Sequence, residues 1–220
     1  MATTELNAAK NTELVFIIDK SGSMSGLESD TIGGFNSMLN QHKKGEGKCR
    51  LTSVFFSDNQ KTVHDRVDIS TVKPLTDADY IPGGCTALLD TVGNAINHTK
   101  SVLAGATDEA ERNSNVVYII ITDGYENASR EYNAPQIKDM ITRQQEAGWE
   151  FVFLGANIDA VTTAERYGIS HKKAANFRAD KKGMAASFSV VSKVVGAMRS
   201  KGHVDACLLD EVREDFEQRN

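Results

Sequence analysis

Short, uninterrupted apolar runs are the feature that most restricts the fold of this chain. Leu14–Ile18 (LVFII), Val116–Ile121 (VVYIII) and Phe151–Leu154 (FVFL) contain no charged residue and are rich in β-branched and aromatic side chains. A strand with one solvated face alternates apolar and polar residues, so unbroken runs of this length indicate strands buried on both faces. Strands of that kind occur in parallel sheets covered by helices.

Stretches with helical periodicity separate these runs. Apolar residues recur at helical spacing in five segments, which are Gly26–Lys44, Ala87–Leu103, Ile137–Glu146, Ala160–Tyr167 and Lys182–Arg199. Alternation of strands and helices is typical of a sheet with helices on both faces. The sequence therefore predicts an α/β fold with a doubly wound, mostly parallel central sheet.

The region between residues 50 and 70 departs from this alternation. Leu51–Phe56 and Val63–Ile69 are separated by a short polar stretch that contains SDNQ, and the second run alternates apolar and polar residues. Two strands so close in sequence predict a hairpin. We therefore expect one antiparallel edge strand, and we expect a last short strand at Ala174–Phe177.

Length and composition fit one globular domain. The chain has 220 residues, of which 40% are hydrophobic and 25% charged, and its net charge is −5. Acidic and basic residues are mixed and form no basic block, so nucleic acid is not an expected partner. We assign residues 1–12 to an N-terminal extension, 13–202 to the domain and 203–220 to a C-terminal tail, with both ends loosely attached.

Cysteine spacing and hydropathy indicate the compartment. Cys49, Cys85 and Cys207 are odd in number and far apart, which fits neither a disulfide framework nor a zinc motif. No apolar stretch approaches the ~18 residues of a membrane span, and the first residues lack the pattern of a secretory signal. We expect a cytoplasmic protein that does not contact a membrane. Its oligomeric state does not follow from the sequence.

Polar residues collect where the apolar strands end. DKSGS (residues 19–23) follows the first strand, TDG (122–124) follows VVYIII, and GGCT (83–86) leads into a helix. Ligands of open α/β sheets bind at the carboxyl ends of the strands. The side chains that we expect to converge there are Asp19, Ser21, Ser23, Thr86 and Asp123.

These five side chains share one chemistry, because each offers oxygen and none is an imidazole or a thiolate. Oxygen ligands in an octahedral set favour Mg²⁺, Mn²⁺ or Ca²⁺ over zinc or copper. Ser21 and Ser23 are alternate residues and can face one cation. Neutral hydroxyls leave a bound dication attractive to an outside anion, so we predict a metal, with Mg²⁺ as the first choice, that recruits a ligand.

Three separated motifs resemble a known family. DKSGSM, GGCTALLD and ITDGYEN are similar to the three loops of the metal-ion-dependent adhesion site (MIDAS) of von Willebrand factor type A domains. The resemblance implies a Rossmann-like fold and a metal site at Asp19, Ser21, Ser23, Thr86 and Asp123, with Asp90 one helical turn after Thr86. It further implies a non-enzymatic binding module, in which an Asp or Glu of a protein partner completes the coordination of the metal.

The segment FVFLGANIDAVTTAERYGIS is similar to stand-alone bacterial and phage proteins of the same family, some of which accompany stress-response systems.

Two functions other than a binding module stay open. One is a metal-dependent hydrolase or phosphotransferase, which needs a nucleophile or base beside the metal. The other is a structural or assembly component of a phage or bacterial stress-response system that uses the fold without an obligatory metal.

Several of the polar residues also have structural interpretations. Asp19 and the serines after it could cap a helix, since Asp and Ser favour that position. We expect Asp159 to cap Ala160–Tyr167 and Asp180 to cap the last helix. Residues 125–127 (YEN) either contact a partner or form a solvated loop.

Overall fold

The computed structural model describes residues 11–219, and its centre is one six-stranded sheet. The strands are β1 Thr12–Asp19, β2 Cys49–Phe56, β3 Gln60–Asp68, β4 Asn115–Thr122, β5 Glu150–Gly155 and β6 Ala174–Asn176. Their order in the sheet is β3-β2-β1-β4-β5-β6. β3 is antiparallel to β2, and all other neighbours are parallel. The predicted mostly parallel sheet with one antiparallel edge strand is confirmed.

Helices cover both faces of this sheet. They are α1 Glu28–His42, α2 Leu88–Ala104, α3 Glu109–Arg112, α4 Ala134–Glu146, α5 Ala160–Arg166, α6 Lys181–Lys201 and α7 Asp210–Gln218. The five predicted helices are present with shifts of a few residues at their ends. The sequence did not predict α3 or α7. As expected, Asp159 accepts a hydrogen bond from the backbone of Thr162, and Asp180 accepts one from the backbone of Gly183.

Each central strand contributes to two hydrophobic cores. In β1, the side chains of Leu14, Phe16 and Ile18 belong to the core under α1 and α6, while those of Val15 and Ile17 belong to the core under α2 and α4. All five are essentially inaccessible to solvent. Burial on both faces explains why the run contains no polar residue.

The direction in which the chain crosses the sheet reverses beside β1. The chain passes from β1 outward to β2 and β3, and then returns to β4 on the other side of β1. β1 and β4 are parallel neighbours, with Ile18 opposite Ile121. Their carboxyl ends, Asp19 and Thr122, therefore lie side by side. In open α/β sheets this reversal is the usual place for a ligand.

The C-terminal segment corrects the expectation of a loosely attached tail over 203–220. Leu209 and Val212 are fully buried against the domain, and Arg219 pairs with Asp180 and Asp215. Most residues of α7 are charged. Its few apolar residues were therefore not recognised in the sequence as the buried face of a helix. The predicted N-terminal extension lies almost entirely outside the described residues, and the domain limits 13–202 stay a prediction.

Two adjacent glycines of α1 offer a test of how closely the helices pack. A Cβ atom built on Gly34 would lie 2.2 Å from the Phe188 ring of α6, whereas one built on Gly33 would meet no atom within 4 Å. Of the two glycines, only Gly34 must therefore lack a side chain for α1 and α6 to pack this closely.

We expect Gly34→Ala to lower the free energy of unfolding by about 1–3 kcal/mol, because the buried Phe188 ring must move. Gly33→Ala should raise it by about 0.5–1 kcal/mol through the better helix propensity of alanine. Urea denaturation of the two variants beside the unmodified protein measures both values. Effects of the same sign and size would show that the close helix contact is unimportant.

Candidate metal centre

Asp19 joins the ends of the two central strands. Its side chain is completely buried, and one carboxylate oxygen accepts the backbone N–H of Ser21 at 2.6 Å. The other oxygen accepts the hydroxyl of Thr122 at 2.6 Å, and the buried Tyr80 hydroxyl donates to the Asp19 carbonyl. These contacts fix the turn that follows β1.

A chain of polar contacts leads from this turn to the end of β4. The Oγ atoms of Ser21 and Ser23 lie 3.1 Å apart, and the Ser23 hydroxyl donates to Asp123 Oδ1 at 2.6 Å. Ser21 precedes a 3-10 turn at Gly22–Met24, but its side chain makes no capping hydrogen bond there. The helix-cap interpretation of this serine is therefore wrong.

Thr86 approaches the same space from the second loop. A methyl group built on Gly124 would lie 3.3 Å from Thr86 Oγ1 and 3.5 Å from Ser23 Oγ, so the two hydroxyls border one small volume. Ser21, Ser23 and Thr86 line a shallow depression at this place. Asp19 and Asp123 do not line the depression, but Asp123 accepts the Ser23 hydroxyl and Asp19 accepts the Ser21 backbone N–H. The structure thus brings the five predicted residues to one edge of the sheet.

The two carboxylates have an unfavourable environment as free anions. Burial raises the pKa of Asp123, and the nearby Asp19 charge raises it further, against the opposing Ser23 hydrogen bond. Burial likewise raises the pKa of Asp19, although hydrogen bonds from Thr122 and Ser21 oppose this. Asp123 Oδ2 is buried and has no hydrogen-bond partner. A cation beside these oxygens would offset both the desolvation and the repulsion.

The donor set also indicates which cations fit. Within residues 11–219, no group of three or more His, Cys, Asp or Glu side chains could hold a metal ion. The candidate centre instead combines two carboxylates with three hydroxyls. Such donors suit a hard dication that keeps part of its coordination shell for water or a visiting ligand.

Asp90 holds the end of the third loop, the connection 123–133 between β4 and α4, and is not among the residues that line the depression. Its carboxylate accepts the backbone N–H groups of Arg130, Glu131 and Tyr132 at 2.7, 2.9 and 2.9 Å. The sequence singled out Asp90 because it lies one helical turn after Thr86. In the structure its hydrogen bonds connect α2 to the segment before α4.

Glu126 and Asn127 also hold the loops together, and sequence reasoning did not find this. The Glu126 carboxylate accepts the backbone N–H groups of Leu89 and Ser129 at 2.9 and 2.7 Å. The Asn127 side-chain oxygen accepts the backbone N–H of Thr86 at 2.8 Å, and the Asn127 backbone N–H donates to the Thr86 carbonyl at 3.0 Å. Both residues stand in the ITDGYEN motif, but their acceptor roles depend on chain segments distant in sequence.

Cys85 lies at the rim of the depression and is exposed. The nearby Asp58 carboxylate raises the pKa of its thiol. A thiol with a raised pKa is a poor nucleophile at neutral pH. The Asp58 contact therefore disfavours a nucleophilic role for this thiol.

Comparison with known proteins points to one family. The family model of the von Willebrand factor type A domain matches residues 13–188. The vWF domain of the type V pili tip protein Mfa5 from Porphyromonas gingivalis is similar with a TM-score of 0.64 and 12% identity, over 89% of this chain and 98% of that chain. No curated protein matches the sequence.

Proximal thread matrix protein 1 from the mussel byssus is also similar, with a TM-score of 0.57 and 17% identity over 84% of this chain. This chain spans only 46% of the mussel protein. Another structure of that protein, described with a zinc occupied MIDAS motif, has a TM-score of 0.56 and 14% identity over 86% of this chain and 46% of the mussel chain. At these identities the likeness shows a shared fold.

Asp90 accepts three backbone hydrogen bonds, so its substitution tests how the third loop is held. We expect Asp90→Asn to lower the free energy of unfolding by about 2 kcal/mol, since hydrogen bonds to a charged acceptor are strong and an amide nitrogen cannot accept. Asp77→Asn, at an exposed loop acid, should change it by less than about 0.5 kcal/mol. Chemical denaturation gives both values, and equal stability of the two variants would refute the role of Asp90.

Proposed function

The chain belongs to the von Willebrand factor type A domain family, and from this premise we propose that it is a divalent-metal-dependent protein-interaction module. The metal would be held by Asp19, Ser21, Ser23, Thr86 and Asp123. The observation that carries the proposal is Asp123 Oδ2, a buried carboxylate oxygen without a hydrogen-bond partner beside three hydroxyls. A bound dication would satisfy that oxygen and supply an open position to an anionic ligand.

The exposure of Ser23 supports recognition of an acidic residue of the partner. Ser23 is exposed and lines the depression, while the other four residues of the centre are almost inaccessible to solvent. A partner therefore approaches through the depression, and its carboxylate does not come directly against the two buried aspartates. Because the protein contributes only two formal negative charges, an incoming Asp or Glu gains a charge-assisted contact with the cation.

Mg²⁺ is our first choice for the cation, with Mn²⁺ and Ca²⁺ as alternatives, because all proposed ligands are oxygen atoms. The mussel protein's zinc occupied motif makes zinc a necessary competitor in any titration. We assign no enzymatic activity to the centre, since no histidine is among the described residues that line the depression and Asp58 raises the pKa of the Cys85 thiol at its rim.

We propose a cytoplasmic location, because Cys49, Cys85 and Cys207 are all free thiols and free thiols are usual in reducing compartments. Within residues 11–219, no helix has the length and apolar character needed to cross a membrane. The net charge of −5 supports a protein partner and not a nucleic acid.

Metal binding is tested by thermal unfolding. At a Mg²⁺ concentration about 100 times the dissociation constant, the folded state gains about 2.7 kcal/mol. For a chain of this size the melting temperature then rises by roughly 5–10 °C. Asp123→Asn should abolish the rise, because the amide loses the charge that attracts the cation.

Asp159→Asn is the matched control, since Asp159 lies at the same edge of the sheet but caps α5. This variant should keep the full Mg²⁺-dependent rise. An unchanged melting temperature of the unmodified protein with Mg²⁺, Mn²⁺ and Ca²⁺ would refute the metal centre.

Partner recognition is tested by affinity capture from the native cell extract, with Mg²⁺ compared against EDTA. We expect a protein that binds only with the metal and is not captured by the Asp123→Asn variant. Replacement of one Asp or Glu of that protein by its amide should abolish binding. Capture that persists in EDTA would mean that the partner uses another surface.

A further inference from the structure

Two large hydrophobic side chains are exposed in the part of the chain that the structure describes, and both belong to loops of the candidate centre. Ile81 is 66% exposed and Tyr125 is 62% exposed. Isolated hydrophobic residues on a surface carry little information. Here, however, the exposed pair coincides with the one edge of the sheet where the polar side chains converge.

Ile81 belongs to the segment that supports the first loop. Its neighbour Tyr80 is buried and donates its hydroxyl to the Asp19 carbonyl. Two residues after Ile81, the Gly83 N–H donates to the Lys20 carbonyl at 2.8 Å. A span of two residues covers at most about 7 Å, so the Cα of Ile81 lies within about 7 Å of Gly83, which contacts the loop that carries the serines.

Tyr125 approaches the depression from the third loop and lines it together with Ser23 and Thr86. It directly follows Gly124, and the next residue, Glu126, is fixed by its hydrogen bonds to other backbone groups. The Tyr125 ring is thus presented to solvent by a backbone that is held on both sides.

Both exposed side chains therefore stand on backbone that other contacts fix. Ordering a flexible loop costs binding energy, and a pre-ordered aromatic or aliphatic side chain avoids most of that cost. Apolar contacts around a central polar contact also exclude water, which strengthens the central contact. These are the properties of anchor residues in a protein interface.

We propose that Ile81 and Tyr125 form an apolar rim around the metal centre, and that the partner presents its acidic residue next to aliphatic or aromatic side chains that cover this rim. The inference rests on the proposed function, because the acidic residue is placed by the metal. It adds that the metal contact alone does not define the partner, and that an acidic segment without apolar neighbours binds weakly.

The test uses a phage-displayed library of random linear peptides, bound in Mg²⁺ and eluted with EDTA. The expected peptides contain Asp or Glu with an aliphatic or aromatic residue close by in sequence. One recovered sequence is then synthesised, and its affinity is measured by fluorescence polarisation. We expect Ile81→Ser and Tyr125→Ser each to weaken its binding about tenfold, as is usual for interface anchors.

Val102→Ser is the matched control, because Val102 is partly exposed near the far end of α2, roughly 20 Å along the helix from Thr86. This variant should bind the peptide unchanged. All three variants should also keep the Mg²⁺-dependent rise in melting temperature, which shows that the metal centre is intact.

The outcomes separate the two proposals. Acidic peptides without apolar residues, or equal affinity of the Ile81→Ser and Tyr125→Ser variants, would overturn the apolar rim and leave the metal-dependent module standing. Failure of every peptide to depend on Mg²⁺ would overturn both. If sedimentation analysis shows that Ile81 and Tyr125 instead hold two copies of this chain together, the rim serves self-association and the inference is wrong.

Discussion

The parallel pairing of β1 with β4 is the contact on which the rest of the structure depends. It joins the two halves of the chain at the point where the strand order reverses, and it places Asp19 beside Thr122. Without this register the carboxylate would be buried with no hydroxyl to donate to it, at a cost of several kcal/mol. The hydrophobic strands thus determine where the polar groups must meet.

Much of this arrangement was predictable from the sequence, because a strand that is buried on both faces consists almost entirely of apolar residues. The LVFII and VVYIII runs have no solvated face, so they had to lie inside a covered sheet. The charged helix α7 was missed, since only a few of its residues are apolar. The roles of Asp90 and Glu126 were also missed, because a local pattern does not reveal which distant backbone groups an acid accepts from. That the five oxygen-bearing side chains bind a metal remains a prediction.

The two aspartates of the candidate centre repel each other as anions, and contacts between the surrounding loops hold them in place. Two buried carboxylates lie close together, and burial raises the pKa of each. The backbone around them is held by contacts between loops, such as the Gly22 N–H donating to the Gly84 carbonyl at 3.0 Å. Gly84 has a φ of +85°, a backbone conformation that residues with a side chain rarely adopt, so the loop requires glycine at this contact. The rigid loops maintain an arrangement that the two acids alone would not favour.

The direction of β1 also sets how the domain is displayed. The strand starts at Thr12 on one edge of the sheet and ends at Asp19 on the other, a separation of roughly 25 Å at the usual rise per residue. The start of β1 and the loops of the candidate metal centre therefore lie at opposite ends of the domain. A ligand that reaches the centre does not approach the point where the described chain enters the sheet.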